Sequence, residues 1–413
     1  MKTLRIAAFL FIVLSGVSVG QVHFYLYKSG DTFKLNPWLR YTSVEGAFGG
    51  LSAQYAFTDN FQLKADAGYA VAGKFPRYRV RLDKSFAVEN NEWVLSAEYH
   101  RLTDTPDHGV LPDWQNSFSA LLFRRDFYQH YEVHGAEAEL GHIWEGIFAF
   151  KLFGGVRDFN SMSTVANFSL LGWAGDRLAV KSRFPFNPRV VEGRDYYGGV
   201  RFSADSRPSP LAPVSAWMID GQYTNSSLLH RQIDSDLSYQ HLIVRITRQQ
   251  MVFKTQRMMT TVMVGSFQGE RFSRDSTAMA EQFLFDGGGY GSLRGYSYRE
   301  FANQNRMALL KWDYSLNGAF LPKTFLRKVW GLGLFFSAFD LAFFADAGYY
   351  WTAGENRFLV SPSNLELKSL RADAGVALSA KDWIRFEFAF PLRKGITTQP
   401  GSWSFYVVLR QNL

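Results

Sequence analysis

The chain has 413 residues, a formal charge of +8, 47% hydrophobic and 17% aromatic residues, and no cysteine. The missing cysteine excludes a disulfide scaffold and a lipid-anchored start, and the apolar and aromatic content excludes a disordered chain. The positive charge is not gathered into Lys/Arg runs, so no nucleic acid is expected as a partner; cations facing acidic lipid head groups or lining a lumen account for it.

Met1 to Gly20 reads as a cleavable signal peptide: Lys2 and Arg5, an apolar run from Ile6 to Val17, then the small residues Ser18 and Gly20 before Gln21. That run is shorter than the roughly 20 residues a membrane-spanning helix needs. Residues 21–413 hold no longer one, yet nearly half the chain is apolar, so another rule must distribute these residues. The rule is alternation, the period-two signature of strands whose successive side chains face opposite sides.

A first strand is expected near Trp38. From Phe61, the residues Phe61, Leu63, Ala65, Ala67 and Tyr69 alternate with Gln62, Lys64, Asp66 and Gly68, giving one apolar and one polar face. The stretch from Trp93 repeats this less cleanly. His130 and His134 stand four apart, but the segment lacks a helical period and no Glu stands at the zincin position, so neither metal nor other cofactor is expected. Ser206 to Pro213, with its three prolines, reads as one loop.

The final third divides into strands near 306–318, 339–351, 368–379, 382–392 and 403–413. Within the second of these, Leu341, Phe343, Ala345, Ala347, Tyr349 and Trp351 oppose Ala342, Phe344, Asp346, Gly348 and Tyr350. Loops 352–367 and 393–402 are polar, Ala380-Lys381 is a minimal turn, and the long apolar connection 319–338 reads as an extension of the next strand, with a membrane-surface segment as the alternative. Aromatic residues near strand ends suggest membrane girdles, and short turns on the periplasmic side place the C-terminus there. At about 24 residues per strand and connection, the mature chain holds roughly 16 strands, within the range of such barrels. The expected fold is therefore all-β: a single transmembrane antiparallel β-barrel over residues 21–413.

Phe285-Asp-Gly-Gly-Gly-Tyr-Gly-Ser-Leu-Arg-Gly-Tyr296 is the most informative segment. No Lys-Ser/Thr follows its glycines, so a phosphate-cradling loop is not expected. Leu293-Arg294-Gly295-Tyr296 resembles the signature of the BamA-like family of outer-membrane insertases and transporters, which sits at the tip of the sixth extracellular loop and folds back into the barrel lumen. Leu310-Lys-Trp-Asp313-Tyr314 and Phe344-Ala-Asp346-Ala-Gly348 are similar to the family's next two strand motifs, in the family's order. The resemblance spans about 283–413 and continues through Leu370 to Leu378 and Ile384 to Leu392; near the start, Arg40-Tyr41 and Val44-Glu45-Gly46 are similar to an opening strand.

By resemblance, Asp313 and Asp346 face the lumen and contact the loop arginine. The pleat agrees independently, since Asp313 shares a phase with Lys311 and Ser315 while Leu310, Trp312, Tyr314 and Leu316 share the other. A guanidinium with five donors suits a latch on two carboxylates, with a ligand site as the alternative. Asp66, Glu98, Arg371, Asp373, Arg385 and Glu387 are expected to face the lumen and remain hydrated. No Gly-x-Ser-x-Gly elbow is present, and no enzymatic activity is expected.

The resemblance implies a Gram-negative outer membrane, contact with its lipids and lipopolysaccharide, and a role in protein insertion or translocation through a laterally opening seam between the first and last strands. Family insertases carry periplasmic receptor (POTRA) modules, for which Gln21 to Trp38 leaves no room. Client capture would then fall to a separate periplasmic or membrane partner. A closed channel or structural barrel that keeps the loop latch is the rival reading.

Overall fold

The computed structural model describes residues 27–29, 32–107, 111–173, 182–208, 214–227, 233, 235–253, 256–269, 280–316, 339–353, 369–380 and 384–409. The signal peptide and the 319–338 connection lie outside these residues, as do most of loop 352–367 and Lys381.

Seventeen strands form one antiparallel sheet. In chain order the first twelve are β1 (Tyr27–Ser29), β2 (Phe33–Thr42), β3 (Gly46–Thr58), β4 (Phe61–Ala70), β5 (Phe75–Val88), β6 (Asn91–Asp104), β7 (Tyr131–Trp144), β8 (Phe148–Ser161), β9 (Gly193–Asp205), β10 (Ala216–Asn225), β11 (Tyr239–Phe253) and β12 (Gln256–Gly269). A small separate hairpin, β13 (Phe285–Gly287) with β14 (Phe301–Gln304), follows. Then come β15 (Arg306–Leu316), β16 (Phe339–Trp351), β17 (Arg371–Ala380), β18 (Ile384–Pro391) and β19 (Ser404–Leu409). Setting aside the three-residue arm β1, sixteen strands run up and down as barrel staves, each laddered to the next from β2 to β19.

The arrangement inverts a soluble protein. Leu39, Leu51, Tyr69, Val80, Leu95 and Leu310 all point outward and are exposed. Inward on the neighbouring phase, Arg81 reaches Asp83 at 2.8 Å and Glu139 at 2.7 Å, and Arg201 reaches Glu139 at 2.6 Å and Glu137 at 2.9 Å. An apolar belt outside and charge inside is what a sheet closing on itself in lipid requires, because hydrocarbon offers backbone N–H and C=O groups no partner except the next strand.

One element was not expected from the sequence. Helix α1 (Asp113–Phe123) lies in the connection between β6 and β7. It starts after Pro112 without a side-chain cap and ends at Arg124 in the left-handed region, where the Arg124 N–H returns to the Ala120 carbonyl and the Arg125 N–H to the Ser119 carbonyl. Such a helix carries weak local signals, and tertiary contacts hold it. Asp126, just beyond, accepts the Asn116 amide at 2.8 Å, the Ser43 N–H at 2.7 Å, and pairs with His130 Nε2 at 2.9 Å. His130 is thus part of a buried loop knot.

This knot titrates. Burial alone would raise the Asp126 carboxyl, but the charge and hydrogen bond of His130, with Ser43 N–H and Asn116, hold it down to about 2. Burial opposes charge on His130, yet Asp126 overrides it and raises the imidazole above its usual 6.5. The His130 contribution is complete below pH 6.5 and lost as pH rises through its raised value; that of Asp126 is complete above 3.8 and lost on falling towards 2. Amide exchange over 111–130 is therefore expected to be slow near pH 5 and to accelerate towards pH 9, beyond the intrinsic rise. His130→Gln should flatten the profile; an unchanged profile in that variant would count against the knot.

Candidate functional site

The segment 280–305, which precedes β15, lies inside the barrel. Phe283, Leu284 and Phe285 pack with Tyr131, Phe159, Tyr239 and Phe267 from β7, β8, β11 and β12, burying one side of the loop against the inner wall. Further on, Leu293, Tyr296 and Phe301 pack on Leu309 of β15. The tip between them is tight: Gly288 and Gly289 adopt φ of +102° and +91°, and Gly289 N–H donates to Leu293 O at 3.0 Å. Only glycine takes these angles without strain.

At the tip, Arg294 is 3% exposed and reaches three carboxylates. Its Nε and Nη2 donate to the two oxygens of Asp346 at 2.7 Å each, a bidentate pair. Nη1 and Nη2 reach Asp313 at 3.3 and 3.2 Å, and Nη1 reaches Glu387 at 3.3 Å. The guanidinium also stacks 3.7 Å above the Phe344 ring. Arg385 completes the cluster from β18, with Nη2 on Asp313 at 2.6 Å and Nε on Glu387 at 2.5 Å. Tyr406 of β19 donates its hydroxyl to the Arg294 carbonyl at 2.8 Å, so the last strand also holds the loop.

The other motif residues serve close approach. A Cβ on Gly295 would stand 2.6 Å from Asp373 Cβ and 2.8 Å from Pro391 N, so only glycine lets the loop lie against β17 and β18. Gly348 leaves room for Leu293, whose methyls would lie 3.2 Å from an added Cβ. Tyr296, fully buried, donates to the carbonyls of Ala372 at 3.1 Å and Arg393 at 2.8 Å.

The expected lumen residues divide into two groups. Asp373, Arg385 and Glu387 are not hydrated: they are 0%, 3% and 1% exposed, because the loop fills the space that would hold water. Asp373 stands directly across the ladder from Asp346. Asp66 and Glu98 lie away from the latch, paired with Arg79 at 2.6 Å and with His100 at 3.0 Å, and Asp66 too is buried rather than hydrated, at 5% exposure. Arg371, at the loop end of β17, places its guanidinium 5.8 Å from the Phe301 ring.

Sequence reading missed three features. Lys311 donates to the Tyr290 carbonyl at 3.2 Å. Arg299 pairs closely with Asp286 and lies 3.7 Å from Glu281, tying the loop base together. Near the β2–β3 turn, Arg77 is fully buried among Glu132 at 2.5 Å, Thr103 at 2.8 Å and Glu45 at 3.6 Å. Phase alone could have flagged Lys311, on the Asp313 face; the others depend on which strands become neighbours.

Among the described residues β19 is laddered to β18, and β2 to β3 and to the short arm β1, with Tyr27, Lys28 and Ser29 opposite Leu35, Lys34 and Phe33.

A lipid-facing sixteen-strand barrel with a loop clasped inside by an arginine on carboxylates defines the class. The family model for the Omp85 superfamily domain matches residues 195–410, more than half the chain, and the protein belongs to that superfamily. The fold is similar to BamA from Haemophilus ducreyi lacking POTRA domains 1–3, at TM-score 0.53 and 15% identity over 92% of this chain and 71% of that one. CdiB from Acinetobacter baumannii aligns at TM-score 0.40 and 10% identity over 92% of this chain and 60% of that one. CdiB from Escherichia coli aligns at TM-score 0.38 and 11% identity over 93% and 63%. No curated protein matches the sequence.

Proposed function

We propose that this barrel inserts or translocates proteins at the outer membrane of a Gram-negative bacterium, receiving clients from a separate periplasmic or membrane partner. The observation that carries the reading is the latch: in a barrel of the Omp85 superfamily, Arg294 clasps the inward loop on Asp346, Asp313 and Glu387, and Tyr406 ties that loop to the last strand, beside which the wall opens between β2 and β19 in this reading. In lipid an unpaired edge is costly, since its N–H and C=O groups find no water. A client strand can satisfy it by adding to the sheet. The loop latch beside β19 keeps the barrel wall rigid while the seam alone yields. The reading contains no catalytic step and needs no cofactor.

Quantitative proteomics of outer membranes after depletion, with wild-type and Arg294→Ala complementation, tests it. Broad loss of other β-barrels supports general assembly, and loss of one or a few exported proteins supports dedicated translocation. An unchanged proteome refutes both. It would favour the second reading, a closed conducting barrel, for which the charged inner wall of Arg81, Glu137, Glu139 and Arg201 speaks. Stable single-channel currents with a solute preference would then be the expected behaviour.

A further inference from the structure

Helix α1 stands at the seam and touches both of its flanks. On the β2 side, Ala120 and Leu121 pack with Tyr41, and Asp126 joins the helix residue Asn116 to the Ser43 N–H at the end of β2. On the other side, Gln115 Nε2 donates to the backbone carbonyl of Val407 in β19 at 2.7 Å. Val407 stands opposite Phe386 in the β18–β19 ladder, and a side-chain amide from a loop helix reaches its backbone as well.

The two attachments differ in strength. Towards β2 the helix is close-packed, with Ala120 fully buried. Towards β19 it leaves a cavity of about 380 Å³, lined by Leu111, Gln115, Phe123, Phe127, Phe405 and Val407 among others. Contact with the last strand therefore rests on few groups, and β19 is the side from which the helix can leave.

We propose that α1 is a built-in seam plug, an autoinhibitory contact that covers the backbone edge of β19 and withdraws from it while anchored on β2. The plug rests on the seam-opening reading above, as its regulation. Gln115 imitates the donor that an incoming strand would supply, so strand and helix compete for one edge.

The test uses the full barrel in lipid vesicles, with folding checked by its heat-sensitive gel mobility. Because the chain has no cysteine, Gln115→Cys with Val407→Cys can be joined unambiguously by a short bismaleimide. Gln115→Ala weakens the contact, and Ala120→Glu dislodges the helix. Amide exchange in β19 is expected to rise about fivefold in Gln115→Ala, as for loss of one neutral hydrogen bond. It should rise further in Ala120→Glu and fall below wild type in the tethered protein. Equal exchange in the tethered, wild-type and released forms would overturn the plug. In parallel, a urea-unfolded eight-stranded barrel precursor is photocrosslinked from position 405. Capture that follows exchange supports plug and insertion together, whereas faster exchange without capture upholds the plug and removes insertion.

Discussion

Arg294→Ala is expected to leave the barrel inserted but to release the 280–305 loop from the lumen. The guanidinium serves Asp346, Asp313 and Glu387 at once, at 3% exposure. Removing one partner of a buried charged cluster costs roughly 3 to 5 kcal/mol, because the remaining charge is stranded without water. Arg385 still faces Asp313 and Glu387. Asp346 keeps Lys311, opposite it on β15, but loses its bidentate partner, so the loss concentrates there. The barrel itself is held by the ladders that run in series from β2 to β19, whose backbone bonds do not depend on this side chain, so unlatching and unfolding should separate. Trypsin added to intact membranes is the measurement: Arg299, largely buried in the wild type, should become a cleavage site while the folded gel mobility persists. Protection equal to wild type would sink the latch, and loss of all folded protein would show that the loop is needed for assembly. Arg294→Lys should behave nearly as badly, since an ammonium cannot reproduce the bidentate fork.

Arg77→Met carries the second large effect, at a place no motif marks. Arg77 is fully buried beneath the β2–β3 turn, against Glu132, Thr103 and Glu45, with its guanidinium 3.9 Å from the Phe75 ring. Methionine keeps much of the volume and removes the charge. Arg40 still holds Glu45 at 2.6 and 2.7 Å, and Arg101 still reaches Glu132 at 3.2 Å, so the expected loss is about 3 kcal/mol, the low end for a broken buried pair. The urea midpoint of the lipid-embedded barrel should fall accordingly. Arg194→Ala, which breaks an exposed pair with Asp158, should leave it unmoved. A shift of equal size in both variants would mean that burial is not what makes the Arg77 network matter.

How much was legible in advance follows from how far each feature reaches along the chain. Alternation from Phe61 to Tyr69 and from Leu341 to Trp351 is local, because the pleat sends every second side chain the same way wherever the strand lies. The loop arginine and its two acids were legible for a different reason: they sit in three short motifs whose resemblance implies one geometry. Arg385 and Glu387 were seen but read as hydrated, since phase places them inside without saying whether loop or water occupies the inside.

Helix α1, Arg77 and the Gln115 to Val407 contact left no such trace. Gln115 and Val407 are 292 residues apart, and no periodicity can relate them. By itself the sequence determined a period-two chain with apolar outer rows, a glycine-hinged arginine loop, and acids in phase to receive it. Tertiary structure alone decided that water is displaced around the latch and that a loop helix packed on β2 also reaches the backbone of the last strand. Local pattern sets which face a side chain takes, whereas barrel closure and register set what it meets there.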